Sequence, residues 1–149
     1  TESVVLSAVG GAAGLLLALG TTLALAGPIE DRQQLMKGIA AATKTGAGLA
    51  KGDIPYDPAK AKEVFQTYSA NIQKLPTLFP EDSKTGGETT ASPKIWDDMA
   101  GFKDHAAKFD SDAKAALAST GDQASFAKAF GDVTKNCGAC HGTYRIKKG

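Results

Sequence analysis

Sulfur and imidazole side chains are scarce in this chain. Its 149 residues include two cysteines, two histidines and two methionines. Two cysteines one helical turn apart make no disulfide framework. The formal net charge is +1, so no overall field points to nucleic acid. Aromatics make up 7% of the chain, and runs of Val, Ile and Thr alternating with polar residues are nearly absent. This argues for a helical protein rather than a sheet. No carboxylate pair, nucleophile or phosphate-binding loop is evident, so the usual signs of an enzyme are missing. The length suits one domain with an appendage.

Charge is missing altogether from Ser3 to Ile29. Within that stretch, Val4 to Ala26 would be about 35 Å long as a helix, enough to cross a hydrocarbon core of about 30 Å. A cleaved secretory signal would open on a basic residue and have a shorter apolar core. Ala24 to Ala26 resembles its cleavage site, yet the chain opens on Thr1 and Glu2. The expectation is a retained transmembrane anchor over residues 1–27 ahead of a domain over 28–149. Gly10 and Gly14, with Ala18 four further on, give the segment a small-residue face that another membrane helix can approach closely.

Gly27–Pro28 ends the apolar run, and Glu30 and Asp31 suit the positive N-terminus of a new helix. That helix is predicted to run to about Lys51–Gly52. Asp57–Pro58 caps a second helix, which ends near Lys74 before Pro76. A long Pro/Gly/Thr-rich connection follows. Ser92–Pro93 opens a third helix, from about Lys94 to Ala118. After Gly121–Asp122 a fourth runs to about Tyr144. Apolar residues recur at three- and four-residue spacing in the last three: Val64, Phe65, Tyr68 and Ile72; Ile95, Met99, Phe102 and Phe109; Phe126, Phe130 and Val133. Four amphipathic helices make an antiparallel all-α four-helix bundle.

The fourth helix carries Cys137-Gly-Ala-Cys140-His141, the attachment signature of covalent c-type haem. The two thiols sit one turn apart on one helix face, and the imidazole that follows is a standard axial ligand of haem iron. Structural zinc normally needs four ligands, and only one other histidine, His105, exists in the chain. A thioredoxin-like redox pair would sit beside a strand–helix unit, not deep in a C-terminal helix. One haem c, attached through Cys137 and Cys140 with His141 on the iron, is therefore expected. Met36 and Met99 are both candidates for the other axial position, since each lies near the start of a helix. Arg145, one turn past His141, suits a haem propionate or simply the helix C-terminus.

The stretches RQQLMKGI, AKGDIPYD, LPTLFPEDS, SPKIW and CGACHGTYR resemble the class II cytochromes c, the cytochrome c′-like four-helix bundles, over about Ile29 to Gly149. The LMK around Met36 looks like the low-spin branch, in which that methionine is the sixth ligand. The high-spin branch places a non-coordinating residue there and leaves the distal face open to small gases. The resemblance thus implies Met36 and His141 as iron ligands. Members are generally exported and soluble, whereas the apolar N-terminus here departs from that pattern.

With both axial positions filled, the expected function is electron transfer rather than catalysis. The expectation is a single-pass bacterial inner-membrane protein with its haem domain in the periplasm. It would pass single electrons to or from a membrane redox complex: a quinol–cytochrome c oxidoreductase, a terminal oxidase or a photosynthetic reaction centre. Lys135, Arg145, Lys147 and Lys148 would either guide docking or be a solvated helix end. Two alternatives stand beside it. One is a cytochrome c′-type protein that binds nitric oxide or CO at a five-coordinate iron. The other is a structural accessory subunit of a membrane complex.

Overall fold

The computed structural model describes residues 27–147. The expected membrane segment with Gly10 and Gly14, and Lys148, lie outside the described residues. Five helices follow in order: α1 (Pro28–Lys51), α2 (Pro58–Lys74), the single turn α3 (Lys94–Asp97), α4 (Met99–Ala116) and α5 (Gln123–Tyr144). The four long helices pack in a ring, α1 against α2, α2 against α4, α4 against α5 and α5 back against α1. This is the expected four-helix bundle.

The helix ends follow from the sequence. Pro28 stands in the first turn of α1 with Glu30 and Asp31, and Gly52 closes the helix at φ 80°, a left-handed conformation that glycine adopts freely. The Asp57 carboxylate accepts from the backbone N–H groups of Ala59 and Lys60 and starts α2. Asp122 does the same for α5 through Ser125. Phe65, Tyr68, Phe126 and Leu49 are the largest fully buried side chains. The aromatic rings pack at tilted angles, Phe65 on Phe126 at 5.3 Å and Tyr68 on Phe109 at 5.2 Å.

The predicted third helix needs one correction. It breaks at Asp98, whose backbone leaves helical geometry at φ −136° and ψ 57°. The Asp98 carboxylate accepts from Gly101 N–H at 3.1 Å and from the Tyr144 hydroxyl at 2.7 Å. A side chain that competes for backbone donors ends one helix and caps the next.

The long connection from Leu75 to Pro93 is ordered by packing. It holds two short 3₁₀ turns, Leu75–Leu78 and Glu81–Ser83. Trp96 Nε1 donates to the carbonyls of Phe79 and Pro80 at 3.0 and 3.3 Å, so the lone tryptophan braces this connection. At its far end the connection pairs with the chain that leaves α5. Ser92 N–H donates to Tyr144 O at 2.9 Å and Ile146 N–H donates to Thr90 O at 2.8 Å.

Candidate functional site

One large cavity, about 600 Å³, lies between α1, the connection and α5. That volume falls within the usual range of about 300–1,000 Å³ for sites that take a drug- or cofactor-sized molecule. Met36, Ile39, Ala40 and Thr43 line it from α1, at the i, i+3, i+4 and i+7 positions of one helix face. Cys137, Cys140, His141 and Tyr144 line it from α5, again at helical spacing. Leu75, Phe79, Ile95 and Phe102 supply apolar walls, and Lys37 and Arg145 stand at its edge. A second cavity of about 40 Å³ shares Met36, Cys137, Cys140 and His141.

The structure thus brings Cys137, Cys140, His141, Met36 and Arg145 together around one space. Met99 packs against the core without lining either cavity. Lys135 turns away to Asp132 at 2.7 Å, which Lys128 also reaches at 3.0 Å. His105 lies edge-on to Tyr144 at 5.6 Å and lines only the smaller cavity.

Burial shapes the chemistry of the donors. It pushes both thiols above the ordinary cysteine range, so they are thiols rather than free nucleophilic thiolates. Burial, with the Arg145 charge adding to it, holds the His141 imidazole below its ordinary value. A neutral imidazole is the form that ligates a metal. Two thiols, a neutral imidazole, a thioether and edge cations around an apolar cavity fit a covalently attached haem with anionic carboxylates.

Sequence reasoning passed over Arg32. The residue is 4% exposed, and its guanidinium donates to Leu78 O, Ser83 Oγ, Ser83 O and Thr89 Oγ1, all between 2.9 and 3.1 Å. It also lies 4.6 Å from the centre of the Phe79 ring. The signal was its register, since Arg32 shares the inward face of α1 with Ile29, Met36 and Ile39.

A family model described as Cytochrome C′ matches residues 27–145. A cytochrome c′ of Rhodopseudomonas palustris is 41% identical over 137 residues, covering 91% of this chain and 94% of the relative. A cytochrome c-556 of Agrobacterium tumefaciens is 41% identical over 124 residues, covering 83% of this chain and all of the relative. Among solved structures, a Rhodopseudomonas palustris cytochrome c′ superposes with TM-score 0.79 at 40% identity, covering 83% of this chain and 99% of the other. The nitric oxide complex of a mutant cytochrome c prime from Alcaligenes xylosoxidans superposes with TM-score 0.71 at 30% identity, covering 82% and 98%. These matches bring with them one covalent c-type haem, for which Cys137 and Cys140 are the chain's two cysteines.

They also correct the functional expectation. The relatives are cytochromes c′ and c-556 matched over nearly their whole lengths, which does not support a membrane-anchored electron carrier tied to a membrane redox complex. Nor is an inner-membrane localisation or a partner helix at Gly10 and Gly14 supported. Among the described residues no helix is long and apolar enough to cross a membrane. The apolar faces of the four long helices close on one another in the core. Among the described residues Ile146 is the exposed large hydrophobic side chain.

Proposed function

Because the chain belongs to the cytochrome c′ family, we propose that it is a gas-binding haem protein in which Met36 is a displaceable occupant of the distal face. When bound, the haem supplies an iron that takes a small diatomic gas such as nitric oxide or CO as a ligand. Cys137 and Cys140 would anchor the group to α5, and His141 would hold its iron. Arg145, exposed at the cavity edge, would pair with one of its carboxylates. Leu75, Ile39 and Phe102 give the cavity apolar walls, against which a charged ligand would lose part of its hydration. A neutral diatomic gas loses little on entering such a space.

The observation that carries this reading is the placing of Met36. It lines both cavities together with His141, from a different helix, whereas the other methionine lines neither. The nitric oxide complex of the Alcaligenes relative supports the choice of ligand.

The test is the visible spectrum of the reduced holoprotein with and without CO. The expected result is a CO-dependent shift in the native protein, with Met36→Ala binding CO about tenfold more tightly or more, because the competing occupant is gone. A native protein unresponsive to saturating CO would remove the gas-binding reading. Equal CO affinity in native protein and Met36→Ala would remove Met36 from the iron.

A further inference from the structure

We propose that Asn71, on α2, is a positioning residue for the distal face: it fixes the turn of α1 that carries Met36 and so sets how readily Met36 yields to a gas. The inference rests on the reading of Met36 as a displaceable occupant.

Asn71 touches neither cavity. Its side chain crosses instead to the neighbouring helix, where Nδ2 donates to the backbone carbonyl of Leu35 at 3.0 Å. Leu35 precedes Met36 within the first half of α1, and its carbonyl already has a partner in the helical ladder. A second donor there does not satisfy an orphan group. It locks one helix to the other at a chosen height and rotation.

Gly38 makes the contact possible. A Cβ at that position would lie 2.5 Å from Asn71 Nδ2, closer than the amide permits. Glycine is a poor occupant of a helix interior, and here it stands where the amide of α2 must reach the backbone of α1. The bond and the glycine both fall within one turn of Met36. Met36 itself is half-buried, with Ile39 buried one turn on. A long, unbranched methionine reaches a fixed point in the cavity only when its own backbone is fixed.

The experiment compares holoproteins carrying Asn71→Asp, Asn71→Ala, Gly38→Ala, Gly38→Ala with Asn71→Ala, and Met36→Ala. Asn71→Asp keeps the volume and replaces the donor by a carboxylate that repels the Leu35 carbonyl. Gly38→Ala favours the helix and displaces only the amide. CO affinity is expected to rise about threefold to tenfold in each single variant, the range one hydrogen bond controls, and not beyond that of Met36→Ala. In the oxidised protein the sulfur-to-iron band at the red edge is expected to weaken in parallel. The paired variant is expected to show less than the product of the two single effects, because both act on one contact.

A role confined to stability would lower the melting temperature and leave CO affinity and the red band unchanged in Asn71→Asp and Gly38→Ala. With Met36→Ala still raising CO affinity, that result overturns this inference alone. An unchanged CO affinity in Met36→Ala overturns the reading beneath it as well. If Asn71→Asp yields no folded holoprotein, Gly38→Ala decides.

Discussion

Arg32 is a charge placed where charges are seldom found. A buried guanidinium persists only when its donors are met, and here four hydrogen bonds and the Phe79 face meet them. The bonds end on Leu78, Ser83 and Thr89, so one side chain of α1 fixes most of the connection that roofs the cavity. Burial lowers the pKa of Arg32 from its very high ordinary value, with the nearby Glu30 charge opposing, and the group stays a cation. Arg32→Ala would leave the Leu78 and Ser83 carbonyls without their donor. The expected loss is about 3 kcal/mol of holoprotein stability by urea unfolding, from hydrogen bonds to a charged group and the unmet acceptors. Limited proteolysis is expected to cut first between Phe79 and Thr89. Cleavage elsewhere, with stability unchanged, would mean that the connection holds itself.

At the scale of the helix, Asp98 decides where α4 begins. Its carboxylate caps Gly101 N–H and takes the Tyr144 hydroxyl, three residues beyond His141, so the start of α4 and the end of α5 are held by one group. A Cβ on Gly101 would come within 2.6 Å of that hydroxyl. Asp98→Ala is expected to fray the first turn of α4, with faster amide hydrogen exchange at Gly101 and Phe102 and none of that change at the start of α2. Uniformly faster exchange in all helices would instead mean that the whole bundle leans on this contact. The break at Asp98 also marks a limit of sequence reading. Apolar spacing runs unbroken from Ile95 through Met99 to Phe102, and nothing local says which of two adjacent aspartates will cap. The answer depends on Tyr144, 46 residues away. By contrast, α1, α2 and α5 were legible because each carries its own end signals: Pro28 and Gly52, Asp57 and Pro58, Asp122. The Cys137, Cys140 and His141 motif could be read for the same reason, since it falls within five consecutive positions. Arg32 and Asn71 were not, because their partners lie on other elements.

For the molecule as a whole, the carboxylates and the buried phenols set opposite limits of pH. Lys135 and Lys128 hold the Asp132 carboxyl down to about 2. The Tyr144 hydroxyl and Gly101 N–H lower Asp98, the Lys108 ammonium and Asn136 lower Asp112, and the Ser125 N–H lowers Asp122. A carboxyl whose folded pKa is depressed contributes stability above its unfolded value of 3.8 and loses it as pH falls through the folded value. The acid limb should therefore fall between about pH 4 and pH 2. Tyr68, through burial, and Tyr144, through its bond to Asp98, are both pushed up to about 12 from 10.0. Their contribution is full below pH 10 and is lost as pH rises toward 12. Helical circular dichroism of the holoprotein in a fixed urea concentration is expected to show a plateau between these limbs. Asp132→Asn should shorten the acid limb and leave the alkaline one in place. Tyr68→Phe should shorten the alkaline limb and leave the acid one. An acid limb unchanged by Asp132→Asn would show that the surface pairs with Lys128 and Lys135, exposed to solvent and salt, add nothing to the fold.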